Sequence, residues 1–295
     1  MPKKTKKKLI RNISTIIVLL IAGISYGTSQ HPFQTPNKQN HPQNISSSNQ
    51  NHAPTLNATE KQLVKIPFSY KKYPEYYAKA DNNANLSSQE LKQTNQNGGN
   101  FWVNYSPLDQ YGRAGEAIGL VTYKSIYDNA SRNKPRPSFP ASTRPAGLYS
   151  NAKYLPSEQR WEGGKSNNTI LQLDDYHGYL YNKSHSFAYS LGGDMQNHNV
   201  TVGTRGQNVG SNSTKDPGGM SYPETSVRNA IYKNHNLKVL YKAKPIYNGN
   251  ELLPRGTHVQ AYSVNDKGKA INLNIWVFNA QNGVNINYKT GQWQK

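Results

Sequence analysis

The amino-acid sequence predicts an α+β fold for residues 61–295, on the evidence of three stretches near the C-terminus and one helix before them. The stretches 238–247, 257–264 and 270–278 alternate between apolar and polar residues, which is the pattern of β-strands. Residues 222–234 precede them and carry the pattern of a helix. Helices followed by a run of strands are typical of the α+β class.

Local sequence signals predict two helices earlier in the chain and mark the start of the helix near 222–234. Ser87 is followed three residues later by Glu90, which is the spacing of a capping box and predicts a helix that begins there. A second helix is expected over 113–127, where apolar residues recur at intervals of three and four. Ser221 and Glu224 repeat the capping-box spacing at the start of the helix near 222–234.

The remaining segments of the domain are predicted as loops and turns. Residues 130–147 are rich in Pro, Arg and Ser and predict a long loop. The sequences at 265–268 and 282–283 are turn signals that separate the C-terminal strands.

The N-terminal 60 residues are expected to lie outside the folded domain. Residues 1–28 have a Lys-rich start and an apolar run over 13–24, shorter than the ~20 residues of a spanning helix. They predict a signal peptide or an N-terminal membrane anchor, with the rest of the chain outside the cell. Residues 29–60 are rich in Gln, Asn, Ser, His and Pro and predict a disordered polar linker. The expected location is therefore secreted or extracellular and membrane-anchored.

The composition favours an anionic partner and excludes thiol chemistry. The chain has 35 Lys and Arg against 16 Asp and Glu, a net charge of +19. Six of these cations precede the apolar run, so the remainder still carries +13. Such a charge favours nucleic acid, anionic lipid or cell-wall polymer, although it also serves solubility alone. With no Cys, a metal must be held by O and N ligands, which suits Mg²⁺, Mn²⁺ or Ca²⁺.

Candidate chemistry is concentrated in residues 174–228. This stretch is rich in His, Asn, Asp, Gly and Arg without being of low complexity, and it contains His177, His185 and His198. Long polar segments inside a domain are commonly functional. From composition alone the stretch indicates a polyanion site, and the three histidines cannot be told apart.

A series of motifs in the same order and spacing resembles the DNA/RNA non-specific endonucleases of the ββα-metal (His-Me finger) superfamily, in particular streptococcal DNA-entry nucleases and streptodornases. The motifs are 105–114, 182–185, 199–208, 222–224 and 286–291, so the resemblance covers roughly residues 85–295. In that family the histidine ends an Asp-Arg-Gly-His motif. Here Asn182, Lys183 and Ser184 replace the first three residues, so the roles of those three do not carry over.

The resemblance implies a central antiparallel sheet flanked by helices, with a ββα-metal finger at the active site. It implies hydrolysis of phosphodiester bonds by water that a histidine base activates, with one Mg²⁺ for which Mn²⁺ can substitute. The residues that match are His185 as the base, Asn208 as the metal ligand, Glu224 and Asn199 as further catalytic or positioning residues, and Arg113 and Arg205 as phosphate-binding residues.

Four of these residues also have a structural interpretation. His185 lies in an alternating stretch and fits a half-buried strand, and Asn208 lies among glycines, where Asn commonly forms turns. Glu224 fits a helix cap, and Arg205 fits a solvated loop charge. Asp174 and Asp175 with His177 form a second, weaker candidate metal site, because no further residue with ligand spacing accompanies them.

The expected partner is the backbone of double-stranded DNA, with RNA as a second substrate. The cations of the 130–147 loop (Arg132, Lys134, Arg136 and Arg144) are expected to follow the phosphates. The sequence contains no base-reading module and implies no obligate protein partner. The rival functions are a non-catalytic surface protein that binds DNA or anionic wall polymer, and a toxin-like nuclease with an immunity partner.

Overall fold

A computed structural model describes residues 55–173, 176–211 and 216–295 of the chain. The segment 1–28 and most of the 29–60 linker lie outside the described residues, as do Asp174 and Asp175. All described residues belong to one compact unit. Across the described ranges, every helix is too short or too polar to span a bilayer.

The described residues form sixteen strands and five α-helices. The strands are β1 Tyr77–Lys79, β2 Trp102–Tyr105, β3 Ala117–Val121, β4 Tyr149–Ser150, β5 Lys153–Leu155, β6 Arg160–Glu162, β7 Lys165–Ser166, β8 Ile170–Leu173, β9 Tyr176–Tyr179, β10 Tyr181–His185, β11 Val200–Thr204, β12 Val239–Ile246, β13 Gly256–Ser263, β14 Asn272–Phe278, β15 Asn285–Ile286 and β16 Trp293–Gln294. The α-helices are α1 Ala58–Leu63, α2 Ser88–Gln93, α3 Tyr123–Asp128, α4 Arg205–Val209 and α5 Ser221–Lys233.

The centre of the fold is a six-stranded sheet with strand order β1-β14-β13-β12-β3-β2. Every neighbouring pair in this sheet is antiparallel. The three C-terminal strands predicted from alternation are β12, β13 and β14, each within two residues of its expected bounds. The predicted α+β class with a central antiparallel sheet is confirmed.

The two faces of the sheet are covered differently. On one face α5 buries Val227 and Ile231 in the main hydrophobic core. The other face carries Lys242 and Lys244, which pair with Glu90 in α2 and with Glu60 in α1. Ser87 caps α2 through Glu90 as predicted. Helix α1 begins two residues before the boundary that we placed at residue 60.

The prediction of a helix over 113–127 is wrong. Residues 117–121 form β3, which lies between β2 and β12 and is buried along its whole length. Gly119 allows β3 to lie close to the backbone of β2, because a Cβ at this position would lie 2.4 Å from the carbonyl oxygen of Trp102. Only the last part of the segment is helical, as α3, which Thr122 caps. A continuous apolar run from a strand buried on both faces carries no alternation, so its spacing resembled that of a helix.

The ββα-metal finger consists of β10, β11 and α4. Strands β10 and β11 pair in an antiparallel ladder that matches His185 with Val200, and α4 follows β11 directly. Tyr181 of β10 and the preceding Leu180 pack in a second hydrophobic cluster with Ile286 of β15. The finger is therefore held on a hydrophobic core of its own.

Buried amide side chains join segments that are distant along the chain. Asn279 is fully buried and donates to the carbonyl oxygen of Val202, which ties the end of β14 to β11. Asn167 donates to the carbonyl oxygens of Gly147 and Thr290 at 2.9 and 3.0 Å. In a chain without cysteine, these hydrogen bonds provide cross-links between loops.

Candidate active site on the ββα finger

The finger, α5 and the 130–147 loop enclose a cavity of about 690 Å³ that contains the predicted base and metal ligand. Its walls combine cationic, amide and aromatic side chains. Those that bear on function are Arg132, Arg136, Phe139, Asn182, Lys183, His185, Tyr189, Asn208, Glu224 and Arg228.

His185 ends strand β10 and is only 6% exposed. Its Nε2 lies 3.1 Å from the sulfur of Met195, and its Nδ1 lies 3.5 Å from Nη2 of Arg136. A guanidinium has donors and no acceptor, so Nδ1 next to Arg136 carries the lone pair and Nε2 the hydrogen. The ring of Phe139 stacks on the imidazole with a centroid separation of 5.1 Å. The imidazole is thus fixed on three sides.

Burial of His185, reinforced by the charge of Arg136, lowers the pKa of its imidazole from 6.5 to about 4. Desolvation disfavours the charged form of a histidine, and a nearby cation acts in the same direction. The imidazole is therefore neutral at physiological pH, which is the state that a general base requires.

Asn208 lies on the short helix α4 and lines the same cavity. Its Oδ1 accepts a hydrogen bond of 3.2 Å from the hydroxyl of Ser184 on β10. Thr204 begins the helix by accepting from the backbone N–H of Gln207. Asn208 is therefore part of a capped helix with its side chain tied to the strand, and not only a turn residue.

Glu224 lies on α5 and also lines the cavity. The helix-cap interpretation is wrong, because Met220 occupies the N-cap and makes no side-chain cap. Ser221 instead donates to the backbone oxygen of Asn208. Burial raises the pKa of the Glu224 carboxyl from 4.5 to about 7, against the opposing charges of Arg228 and Arg136. The carboxyl therefore faces the cavity and not the end of its own helix.

Asn199 lies outside the cavity and is fully buried. Its Oδ1 accepts from the backbone N–H of Phe187, and its Nδ2 donates to the oxygens of Phe187 and Asp194, at 2.8 to 2.9 Å. These bonds hold the loop that presents Met195 to His185. The structure thus gives Asn199 a positioning role, and its assignment as a catalytic residue is not supported.

The two arginines predicted to bind phosphate are not in the cavity. Arg113 is 2% exposed, pairs with Asp109 at 2.6 Å and donates to the oxygens of Gly249 and Glu251. Its donors are used inside the protein, so the phosphate-binding assignment is wrong. Arg205 begins α4 and lies over the ring of Tyr176, 5.7 Å from its centroid, away from the cavity wall.

Other cations take their place. Arg132 and Arg136 of the 130–147 loop line the cavity together with Lys183 and Arg228. Arg228 donates to the hydroxyl of Ser190 at 2.8 Å. Arg228 was not predicted, although its position one helical turn after Glu224 is a usable signal.

The remaining histidines lie apart from this cavity. His177 is exposed on β9. His198 pairs with Asp194 at 2.7 Å and stacks on Tyr105. The second candidate metal site at Asp174 and Asp175 lies outside the described residues, so it stays a prediction. Geometry thus separates His185 from the other two, which composition alone does not.

The donors in the cavity fit a hydrated hard cation. Over the described residues there is no group of three or more His, Cys, Asp or Glu side chains that would enclose a metal ion. The cavity instead offers the amide oxygen of Asn208 and the carboxyl of Glu224. On the cavity wall, the buried Nδ2 of Asn182 and the buried hydroxyl of Tyr189 have no hydrogen-bond partner among the described residues and can donate hydrogen bonds into the cavity. Mg²⁺ commonly keeps several waters and takes few protein oxygens, so the oxygens of Asn208 and Glu224 are sufficient to hold it.

Comparisons with known proteins agree with this geometry. The family model of DNA/RNA non-specific endonucleases matches residues 141–265. A deoxyribonuclease of Streptococcus dysgalactiae subsp. equisimilis is 37% identical over 201 residues, which is 64% of this chain. The match spans 59% of the length of that relative.

Solved structures match over a larger share of the chain. The structure of Sda1 nuclease with bound zinc is 32% identical, with a TM-score of 0.65, and the match covers 78% of this chain and 100% of that one. NucA from Streptococcus agalactiae, solved with and without magnesium, shares the fold at 22% and 20% identity with TM-scores of 0.54 and 0.52. These two matches cover 78% of this chain and 91% and 90% of NucA. From its motifs, its ββα finger and these matches, the chain belongs to the family of DNA/RNA non-specific endonucleases.

Proposed function

We propose that this protein is an extracellular, divalent-metal-dependent endonuclease that hydrolyses DNA with little regard for sequence, with RNA as a second substrate. The observation that carries the proposal is the meeting of three groups in one cavity: a buried neutral histidine, an amide oxygen and a carboxyl, on His185, Asn208 and Glu224. The family and its deoxyribonuclease relative support a nucleic acid substrate.

In this proposal His185 takes a proton from the attacking water at Nδ1. Its lone pair is directed to the side of the cavity where Arg136 lies, while Nε2 is turned to the sulfur of Met195. The lowered pKa keeps the base neutral, so it accepts a proton without first losing one. Phe139 stacks on the ring and limits its rotation.

The scissile phosphate is held by cations of the cavity wall. Arg136 and Arg132 come from the 130–147 loop, Lys183 from β10 and Arg228 from α5. Guanidinium groups bind phosphate oxygens through two parallel donors, and positive charge stabilises the negative charge that builds up during hydrolysis. Contacts to phosphates carry no sequence information, which supports cleavage without sequence preference.

Asn208 would hold the divalent cation, with Glu224 holding its waters. When bound, Mg²⁺ or Mn²⁺ supplies positive charge at the phosphate and at the leaving oxygen. Relatives whose solved structures contain magnesium or zinc support a divalent metal. The hard oxygen donors of this cavity favour Mg²⁺.

The extracellular location rests on the sequence of residues 1–28. Their cationic start and apolar run support export as a secreted or membrane-anchored protein. The sequence leaves both forms open, and the proposed chemistry is the same in either.

The direct test is incubation of the purified protein with supercoiled plasmid. We expect nicked and then linear DNA with Mg²⁺, and intact plasmid with EDTA. The His185→Ala variant should leave the plasmid intact, whereas His177→Ala, which changes an exposed histidine outside the cavity, should cut normally. Binding of the plasmid without cleavage in Mg²⁺ or Mn²⁺ would favour the rival, a non-catalytic DNA-binding protein.

A further inference from the structure

Ser184 occupies the position where the family motif has glycine, and it makes a contact that glycine cannot make. The residue is fully buried in β10, directly before His185. Its hydroxyl donates to Oδ1 of Asn208 at 3.2 Å. The partner is the side chain that would hold the cation, so the substitution bears on the metal site.

The contact depends on the close pairing of the two strands of the finger. Ser184 pairs with Thr201 on β11, and Gly203 follows two residues later. A Cβ on Gly203 would lie 2.7 Å from the Cβ of Ser184 and 2.0 Å from Oε1 of Gln207. The glycine therefore leaves the space in which the Ser184 side chain reaches α4. Both ends of the hydrogen bond belong to regular elements, β10 and α4.

We propose that Ser184 is a positioning residue that fixes the amide of Asn208 and thereby raises the affinity of the cavity for a divalent cation. The proposal rests on the function proposed above. The terminal torsion of an asparagine is broad, so an amide without a partner samples many orientations. The hydroxyl restricts this torsion and uses one of the two lone pairs of Oδ1, which leaves the other for the cation.

The orientation of Asn208 matters more here than in a site with several ligands. The described residues enclose no cluster of carboxylates and histidines that would hold the ion if one ligand turned away. Loss of a hydrogen bond that orients a ligand typically weakens metal binding by ~10- to 100-fold. We therefore expect a loss of at least about tenfold in affinity when the hydroxyl is removed.

The test measures Mn²⁺ binding to the DNA-free protein by the electron paramagnetic resonance signal of the unbound ion. Ser184→Ala removes the hydroxyl and keeps the Cβ, and Ser184→Gly restores the family residue. Ser186→Ala is the matched control, because this buried serine two residues later has a hydroxyl with no partner in the described ranges. Asn208→Ala is the reference for loss of the ligand, and thermal unfolding in EDTA establishes that each variant folds.

We expect Ser184→Ala and Ser184→Gly to bind Mn²⁺ at least about tenfold more weakly, with Ser186→Ala equal to the wild type. If the folded Ser184 variants bind Mn²⁺ as the wild type does while Asn208→Ala does not, the positioning role is wrong and the metal site stands. If Asn208→Ala itself binds normally, Asn208 is not the ligand and the proposed metal site fails together with this inference.

Discussion

Replacement of His185 by glycine tests the proposed mechanism at its centre. The imidazole is 6% exposed and packed between Met195, Arg136 and Phe139, so its removal leaves a space of the shape of free imidazole. Loss of a general base typically costs ~10²–10⁴ in rate. We expect His185→Gly to bind DNA, to lose at least ~10² in turnover, and to regain measurable cutting when imidazole is added.

The pH dependence of the rescue gives a second, quantitative signature. With a pKa of about 4, the base of the wild type stays almost wholly neutral at pH 5.5. Free imidazole is at least as basic as an unperturbed histidine, whose pKa is ~6.5, so at most about one-tenth of it is neutral at that pH. On acidification, the imidazole-rescued rate of His185→Gly should therefore fall at a higher pH than the pH at which protonation of His185 lowers the wild-type rate. Because other groups also titrate, the comparison is made as the ratio of rescued to wild-type rates.

The assay is the initial rate of plasmid nicking at saturating Mg²⁺, with and without imidazole, from pH 5 to pH 8. His177→Gly and His198→Gly serve as controls and should show little loss to rescue. The reasoning is refuted if folded His185→Gly cuts at close to the wild-type rate without imidazole.

Three other predictions follow from the same cavity. Asn208→Ala should fold normally and lose activity by orders of magnitude, with partial recovery in excess Mg²⁺ or Mn²⁺; near-normal turnover across a Mg²⁺ titration would remove it from the metal site. Four cavity cations, if all contact phosphates, give a slope of about −4 in log affinity against log salt, and strong preference for one duplex over scrambled duplexes at fixed salt would argue against backbone binding. The raised pKa of Glu224, about 7, means that its stabilising contribution is complete below the unfolded value of 4.5 and is lost as pH rises through 7. In EDTA, the stability that Glu224→Gln gains over the wild type should therefore be larger at pH 8 than at pH 5, by up to ~3 kcal/mol. Identical pH dependence of urea unfolding in the two proteins would contradict this.

The parts of the fold that could be predicted are those with a periodic or local signal. In β12, β13 and β14, polar side chains such as Lys242, His258 and Asn274 alternate with apolar ones, although all of these residues are at least half-buried, so the strands alternate in sequence. Strand β3 is buried on both faces and carries no such alternation, so it was predicted as a helix. The Ser87 cap of α2 is a local hydrogen-bond pattern and could be read directly.

The site was predictable only as far as the motif extends. His185, Asn208 and Glu224 meet in the cavity as the motif order implied. Arg113 was misassigned because the sequence does not reveal its distant partners, the backbone oxygens of Gly249 and Glu251. The same long-range packing decides that Glu224 faces the cavity and does not cap its helix.

The buried asparagines that join distant loops have a consequence for how this protein recovers from unfolding. Asn167 and Asn279 hold segments together without a covalent bond, and the sequence contains no thiol that could form a wrong one. Reductants and oxidants of thiols therefore have no bond in this chain to break or to scramble. A molecule that is unfolded by heat or denaturant therefore acquires no wrong disulfide. It can form the same hydrogen bonds again once it is cooled or the denaturant is removed. We expect nuclease activity to return after a cycle of unfolding, to the same extent with and without dithiothreitol.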